Sequence, residues 1–186
     1  PPARPAAPPP PTPDAAVMAA REAARGAASL DELRAILDRF EGCSLKGGAS
    51  RLVFADGTPG SRLMFVGEAP GAEEDKQGLP FVGRSGQLLD RMLKAIGLER
   101  NQVYIANIVP WRPPGNRTPT PVETQICLPF IQRQIELSNP DVLVTIGQPS
   151  TGALLGIQGI MKNRAAGFPS TPAAARSAPC RCCIRP

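Results

Sequence analysis

The hydrophobic positions of this chain fall into two rhythms. Between residues 29 and 40 the spacing is helical: Leu33, Ile36, Leu37 and Phe40 recur at intervals of three and four. Ahead of them stands Ser29-x-x-Glu32, a pair whose hydroxyl and carboxylate can each accept a free amide at the start of a helix, and Gly42 ends the pattern. From Arg62 onward, short apolar runs alternate with amphipathic stretches. The runs at 63–66, 103–109 and 142–146 are apolar and mostly β-branched, and they predict strands of a parallel sheet covered on both faces. Between the first two, Leu88, Leu89, Met92, Leu93 and Ile96 predict one face of a helix capped by Ser85 and ended by Gly97. Between the second and third, Thr120, Pro121 and Glu123 supply a cap, a first-turn proline and a second capping box. Pro129 predicts a kink near the middle of that helix. A further helix is predicted at 149–155.

The flanks lack this alternation. Residues 1–13 are mostly proline and predict an extended, polyproline-like segment, followed by a weak alanine-rich helix at 15–28. Residues 1–28 therefore read as a flexible tail, 29–164 as the folded domain, and 165–186 as an atypical second tail. After Lys162 the sequence turns to Ala, Pro, Ser, Arg and Cys without periodicity, so no closing strand is predicted there. A length of 186 residues suits one core with tails.

Composition narrows the chemistry. Hydrophobic residues make up 42% and aromatics 4%, so Val, Ile, Leu and Ala must fill the interior, which favours an α/β sandwich. The net charge of +5 fits a polyanionic partner such as nucleic acid, although ordinary soluble proteins carry as much. The chain contains no histidine, which removes the commonest general base and metal ligand. Any catalysis must run on carboxylates, amides, backbone dipoles and water. Three of the five cysteines crowd at Cys180, Cys182 and Cys183, far from Cys43 and Cys127, unlike a secreted disulfide framework. No apolar run approaches the roughly 20 residues of a membrane span, and no signal segment is visible at the start, so a cytoplasmic monomer is the expectation.

Ligands of open parallel sheets bind beyond the carboxyl ends of the strands. Directly after the first predicted strand comes Gly67-Glu68-Ala69-Pro70-Gly71. Its glycines permit close backbone approach, its proline fixes the turn, and its amides can hold an oxygen that gains negative charge. Glu68, an acid at the mouth of a buried strand, has no evident packing role there.

This GEAPG segment, the following GAEEDKQGLPFVGRSGQLL, the VYIAN segment and RPPGNRTPTPVETQIC together resemble family-four uracil-DNA glycosylases, in order, from about Cys43 to Leu155. The resemblance implies a three-layer α/β/α sandwich around a small, mostly parallel four-stranded sheet. It also implies hydrolysis of the N-glycosidic bond of uracil flipped out of DNA, leaving an abasic site in base excision repair. On this reading Glu68 orients or polarises water and stabilises the cationic sugar, and Gly67, Ala69, Pro70 and Gly71 line the substrate loop. Phe81 matches the stacking aromatic and is otherwise an ordinary core phenylalanine. Asn107 matches the amide that reads uracil, whose O4 and N3–H it can pair, whereas cytosine presents the reverse pattern. Asp75, with Glu74, presses on the C5 side of the base, unless both are solvated loop acids or helix-end partners. Arg112, Arg117, Lys162 and Arg164 flank the cleft and contact DNA phosphates.

Two departures from the family stand out. The family holds an iron-sulfur cluster on four cysteines, of which Cys43 and Cys127 match two. Lys46 and Trp111 occupy the other two positions, so no metal site and no cofactor are expected, with Trp111 filling the space and Lys46 pointing outward. Cys180, Cys182 and Cys183 either chelate something or belong to a frayed basic tail. The family's late His-Pro-Ser-type motif is also absent, which removes a donor to uracil O2 and predicts slow turnover unless Arg164 or a tail arginine compensates. Two further functions stay open beside the glycosylase. One is a uracil- or abasic-DNA-binding protein with little or no turnover. The other, weaker one is an unrelated nucleotide-binding enzyme with a flavodoxin-like sheet.

Overall fold

The computed structural model describes residues 12–157. Four strands, β1 (Asp56–Gly57), β2 (Leu63–Gly67), β3 (Tyr104–Asn107) and β4 (Val142–Thr145), lie in the order β1, β3, β2, β4. The central β2 runs parallel to both β3 and β4, and β1 runs antiparallel to β3. The three predicted runs each contain one of the longer strands. The fourth, β1, is two residues long and carries no pattern to read.

Successive side chains of a strand point to opposite faces, and here both faces are covered. Met64, Val66, Tyr104 and Ala106 share one core with helices α1 (Pro13–Gly26), α2 (Leu30–Arg39), α5 (Pro121–Ser138) and α6 (Gln148–Leu155). Phe65, Val103 and Ile105 share the other with Leu89 and Leu93 of α4 (Arg84–Ala95). A short helix, α3 (Ala72–Gln77), sits just beyond β2. The result is the three-layer α/β/α sandwich. Gln134, buried on α5, ties the layers by donating to the Tyr104 hydroxyl at 2.9 Å and to the Phe54 carbonyl at 3.3 Å.

The second capping box forms in full, and the first forms in half, since the Glu32 carboxylate accepts from the Ala28 amide at 2.7 Å rather than from Ser29. Glu32 N donates to Ser29 Oγ at 3.2 Å, and Thr120 and Glu123 exchange bonds of 2.7 and 3.3 Å. Helix α5 continues through Pro129 as one element. Two expectations on α4 change. Ser85 does not cap it: the helix begins at Arg84 with Gly83 as its cap residue, and the Gly83 amide donates instead to Glu74. The apolar stripe is also wider than the buried one, since Leu89 and Leu93 are buried while Leu88, Met92 and Ile96 are more than half exposed.

The largest correction concerns the N-terminal flank. Residues 13–26, read as part of a flexible tail, form a packed helix. Thr12 caps it, and Ala16, Ala20, Ala24 and Ala27 are buried in the main core, where the helix lies against α5. Small side chains four apart allow close approach, so contact with α5 rather than amphipathic hydrophobicity holds the segment in place. Arg133 of α5 locks its end, donating from Nε and Nη2 to the Ala27 carbonyl at 3.0 and 2.9 Å. Residues 1–11 and 158–186 lie outside the described residues, and with them Lys162, Arg164, the tail arginines and the three C-terminal cysteines.

Candidate active site at the strand ends

Strands β2 and β3 end side by side, with Gly67 opposite Asn107. Pairing continues past the strands: Ile108 N donates to Gly67 O and Val109 N to Glu68 O, each at 3.0 Å. The backbone carrying Glu68 is therefore fixed by the neighbouring chain. Gly67 is required by what stands over it. A Cβ there would lie 2.5 Å from the tip of the Phe81 ring and 2.6 Å from Asn107 Oδ1. Gly67, Phe81 and Asn107 thus meet in one nook. Asn107 is buried, yet its side-chain amide makes no hydrogen bond among the described residues. Phe81 holds a left-handed backbone, φ 54°, which is unusual for a bulky residue and typical of functional constraint.

Glu68 continues the same wall. Its Oε1 is buried without a hydrogen-bond partner, and desolvation raises its carboxyl pKa above the ordinary value. A buried acceptor left unpaired is costly, and such groups concentrate where chemistry is done. With Ala69, Pro70 and Gly71, Glu68 lines a cleft of about 170 Å³ whose opposite wall includes Pro113, Asn116 and Arg117.

The remaining candidates are placed differently. Asp75, expected with Glu74 on the C5 side of the base, does not line this cleft. Its Oδ1 accepts from the amides of Ser50 and Arg51 at 2.8 and 3.2 Å, which ties α3 to the preceding segment. Glu74 is likewise committed to backbone, accepting from Gly71, Val82 and Gly83. Arg117 forms a two-pronged pair with Glu123, at 2.8 and 2.7 Å, and these bonds hold the Glu123 carboxyl down to about 2. Arg112 donates to Asn116 Oδ1 at 2.7 Å and approaches Asp75 at 4.0 Å. The sequence marked Glu123 only as a cap; its second role holds an arginine of the cleft wall. No local pattern signalled that pairing.

The four positions that correspond to cluster ligands form a separate patch. Cys43 and Cys127 are buried with their sulfurs 4.0 Å apart. Their contact lowers the Cys43 thiol pKa and pushes Cys127 well above its ordinary value. Trp111 is buried in the same core. Lys46 does not simply point outward: its ammonium donates to the Asp38 carbonyl at 2.7 Å and pairs with Glu41, beside the end of α2. An indole and a tethered ammonium supply no thiolate, so this donor set does not fit a four-thiolate cluster.

Comparison with known proteins accords with this geometry. The type-4 uracil-DNA glycosylase of Thermotoga maritima is 50% identical over 105 residues, covering 56% of this chain and 55% of that protein. That of Sulfurisphaera tokodaii is 45% identical over 124 residues, covering 66% and 56%. The chain thus spans a little over half the length of these curated relatives. A DNA polymerase of Bacillus phage SP01 is 30% identical over 109 residues, covering 58% of this chain and 12% of the polymerase. Residues 54–178, two thirds of the sequence, match the family model described as the uracil DNA glycosylase superfamily, and the chain belongs to that superfamily.

Proposed function

We propose that this protein is a monofunctional uracil-DNA glycosylase that acts without an iron-sulfur cluster. The observation that carries the reading is the buried, unpartnered Glu68 Oε1 beside the nook formed by Gly67, Phe81 and Asn107. A uracil flipped out of DNA stacks on Phe81, while the free amide of Asn107 pairs with its O4 and N3–H. The bond between C1′ and N1 breaks with its electron pair passing to the uracil ring. Ionised Glu68 stabilises the positive charge that develops on the sugar and orients the water that adds to C1′; the proton from that water leaves through Glu68, and uracil departs from an abasic site. Positive charge at Arg112 and Arg117 supports contact with DNA phosphates, each guanidinium being oriented by its partner, Asn116 or Glu123. Trp111, Lys46 and the cysteine pair provide by packing and hydrogen bonding the local support that a cluster would otherwise give.

Single-turnover excision from a fluorescent uracil oligonucleotide tests the reading with wild type, Glu68→Gln and Asn107→Ala. Loss of an oriented charged group of this kind slows the chemical step by roughly 100- to 1,000-fold. Glu68→Gln should not lower stability. A carboxyl whose folded pKa is raised carries its cost above that pKa, so replacing it by a neutral amide at pH 7 removes the cost. A second reading, a uracil- or abasic-DNA-binding protein with little turnover, is favoured by the absence of histidine from the chain. Tight binding by wild type without cleavage would establish that reading instead.

A further inference from the structure

The loop carrying Phe81 raises a question that stacking does not answer: what keeps a bulky residue in a left-handed conformation without a ligand. Three contacts surround it. On the C-terminal side, the amides of Val82 and Gly83 both donate to Glu74 Oε1, at 3.0 and 2.8 Å. On the N-terminal side, the Pro80 carbonyl accepts from Arg100 Nη2 at 2.5 Å. Arg100 is itself fixed by Asp56 at its Nε and by Asp90 at 2.9 Å. From behind, Gly86 of α4 lies so close to the Phe81 carbonyl that a Cβ would sit 1.7 Å from its oxygen.

We propose that Glu74, assisted by Arg100, is a positioning residue that sets the Phe81 ring relative to Glu68 in the base pocket. The proposal rests on the glycosylase reading of that pocket. Its geometric core is the second oxygen of Glu74. Oε2 accepts from the amide of Gly71 at 3.1 Å, at the end of the segment that carries Glu68, while Oε1 holds the segment that carries Phe81. One carboxylate therefore spans both walls. As the third residue of α3, Glu74 needs only the Gly71 contact to complete a helix start; the bonds to residues eight and nine positions onward serve no need of α3. Two of the three amides, those of Gly71 and Gly83, belong to glycines, where a Cβ would lie 2.9 and 3.1 Å from the carboxylate oxygens. Reaction rates depend steeply on such placement, since a displacement of about 1 Å in a positioned group can cost on the order of 100-fold.

The test uses the full chain. Glu74→Gln keeps one carbonyl oxygen for Val82 and Gly83 but turns an NH2 group toward the Gly71 amide, which breaks the bridge. Glu74→Ala removes both halves. Glu73→Gln is the control, because among the described residues Glu73 pairs only with Lys76, at the surface. We expect single-turnover uracil excision to fall about tenfold in Glu74→Gln and about 100-fold in Glu74→Ala. The loss should appear in kcat rather than KM, with affinity for uracil-free duplex unchanged. Hydrogen exchange at the Val82 and Gly83 amides reads the clamp independently of activity, and should accelerate at least tenfold in Glu74→Ala while exchange in β2 and β3 stays slow. Wild-type excision with both Glu74 variants at the wild-type rate overturns the proposal. So does a rate loss matched by equal loss of duplex binding and by faster exchange throughout the sheet. If wild type excises nothing, the glycosylase reading fails, and unchanged exchange at Val82 and Gly83 in Glu74→Ala then overturns the clamp as well.

Discussion

The strand-end nook and the cysteine patch both sit where the sequence resembles family-four glycosylases, yet they treat their polar atoms in opposite ways. In the patch, two of four expected thiols are replaced. Lys46 finds a carbonyl and a carboxylate, and the ring of Trp111 fills the main core. At the strand ends the residues are kept and left wanting. Glu68 Oε1 is buried with no partner, the Asn107 amide is unpaired among the described residues, and Phe81 sits in a left-handed backbone. Unpaired groups and strain persist only where surrounding structure enforces them. On the proposed reading, the contrast separates a region that does chemistry from one that is packing.

That separation is strongest if the patch contributes stability and nothing else. Trp111→Ala should cost about 3 to 5 kcal/mol in denaturant unfolding, the range for deleting a buried large aromatic. Excision per folded molecule should stay within about twofold; a large rate loss without a stability loss would merge the two regions. A smaller effect sharpens the other side. The excision rate should fall toward acid, approaching tenfold per pH unit below the Glu68 pKa, if ionised Glu68 acts as proposed. Since burial raises that pKa, the fall should begin above the pH typical of a carboxylate, and Glu68→Gln should flatten whatever rate remains. The smallest expected effect is none: exhaustive chelation should shift neither the melting temperature nor the rate, and iron analysis should find well under one atom per chain. A stoichiometric iron content would break the comparison at its root.

The sequence made the sheet legible because a strand buried on both faces is an apolar run that little else imitates. The cap residues Ser29 and Thr120 were legible because a few residues suffice to define a helix start. The helix at 13–26 was read only as a weak one in a flexible tail and its packing was not legible, since alanines contribute little hydrophobicity and their spacing acquires meaning only against α5. Ser85 misled because the helix starts one residue earlier, at Arg84, behind a Gly83 whose own amide is held by Glu74 on another helix. At the site, Gly67, Glu68, Phe81 and Asn107 could be named from their motifs, and three of them meet in the nook. Asp75 could not be separated from them: an acid four residues from the end of a loop motif looks the same whether it faces a ligand or, as here, the amides of Ser50 and Arg51. Long-range pairs such as Arg100 with Pro80 leave no mark in local pattern at all.

The alanine helix also decides where this molecule can be cut. A chain begun at Ser29, the boundary that patterning suggests, would strip four buried alanines from α5, leave Arg133 without its carbonyl, and turn part of the main core into surface. An apolar patch of that kind is prone to self-association. Shortened forms that precipitate would then report a misplaced boundary rather than an unstable fold, and trimming that stops before Thr12 keeps the helix and its cap.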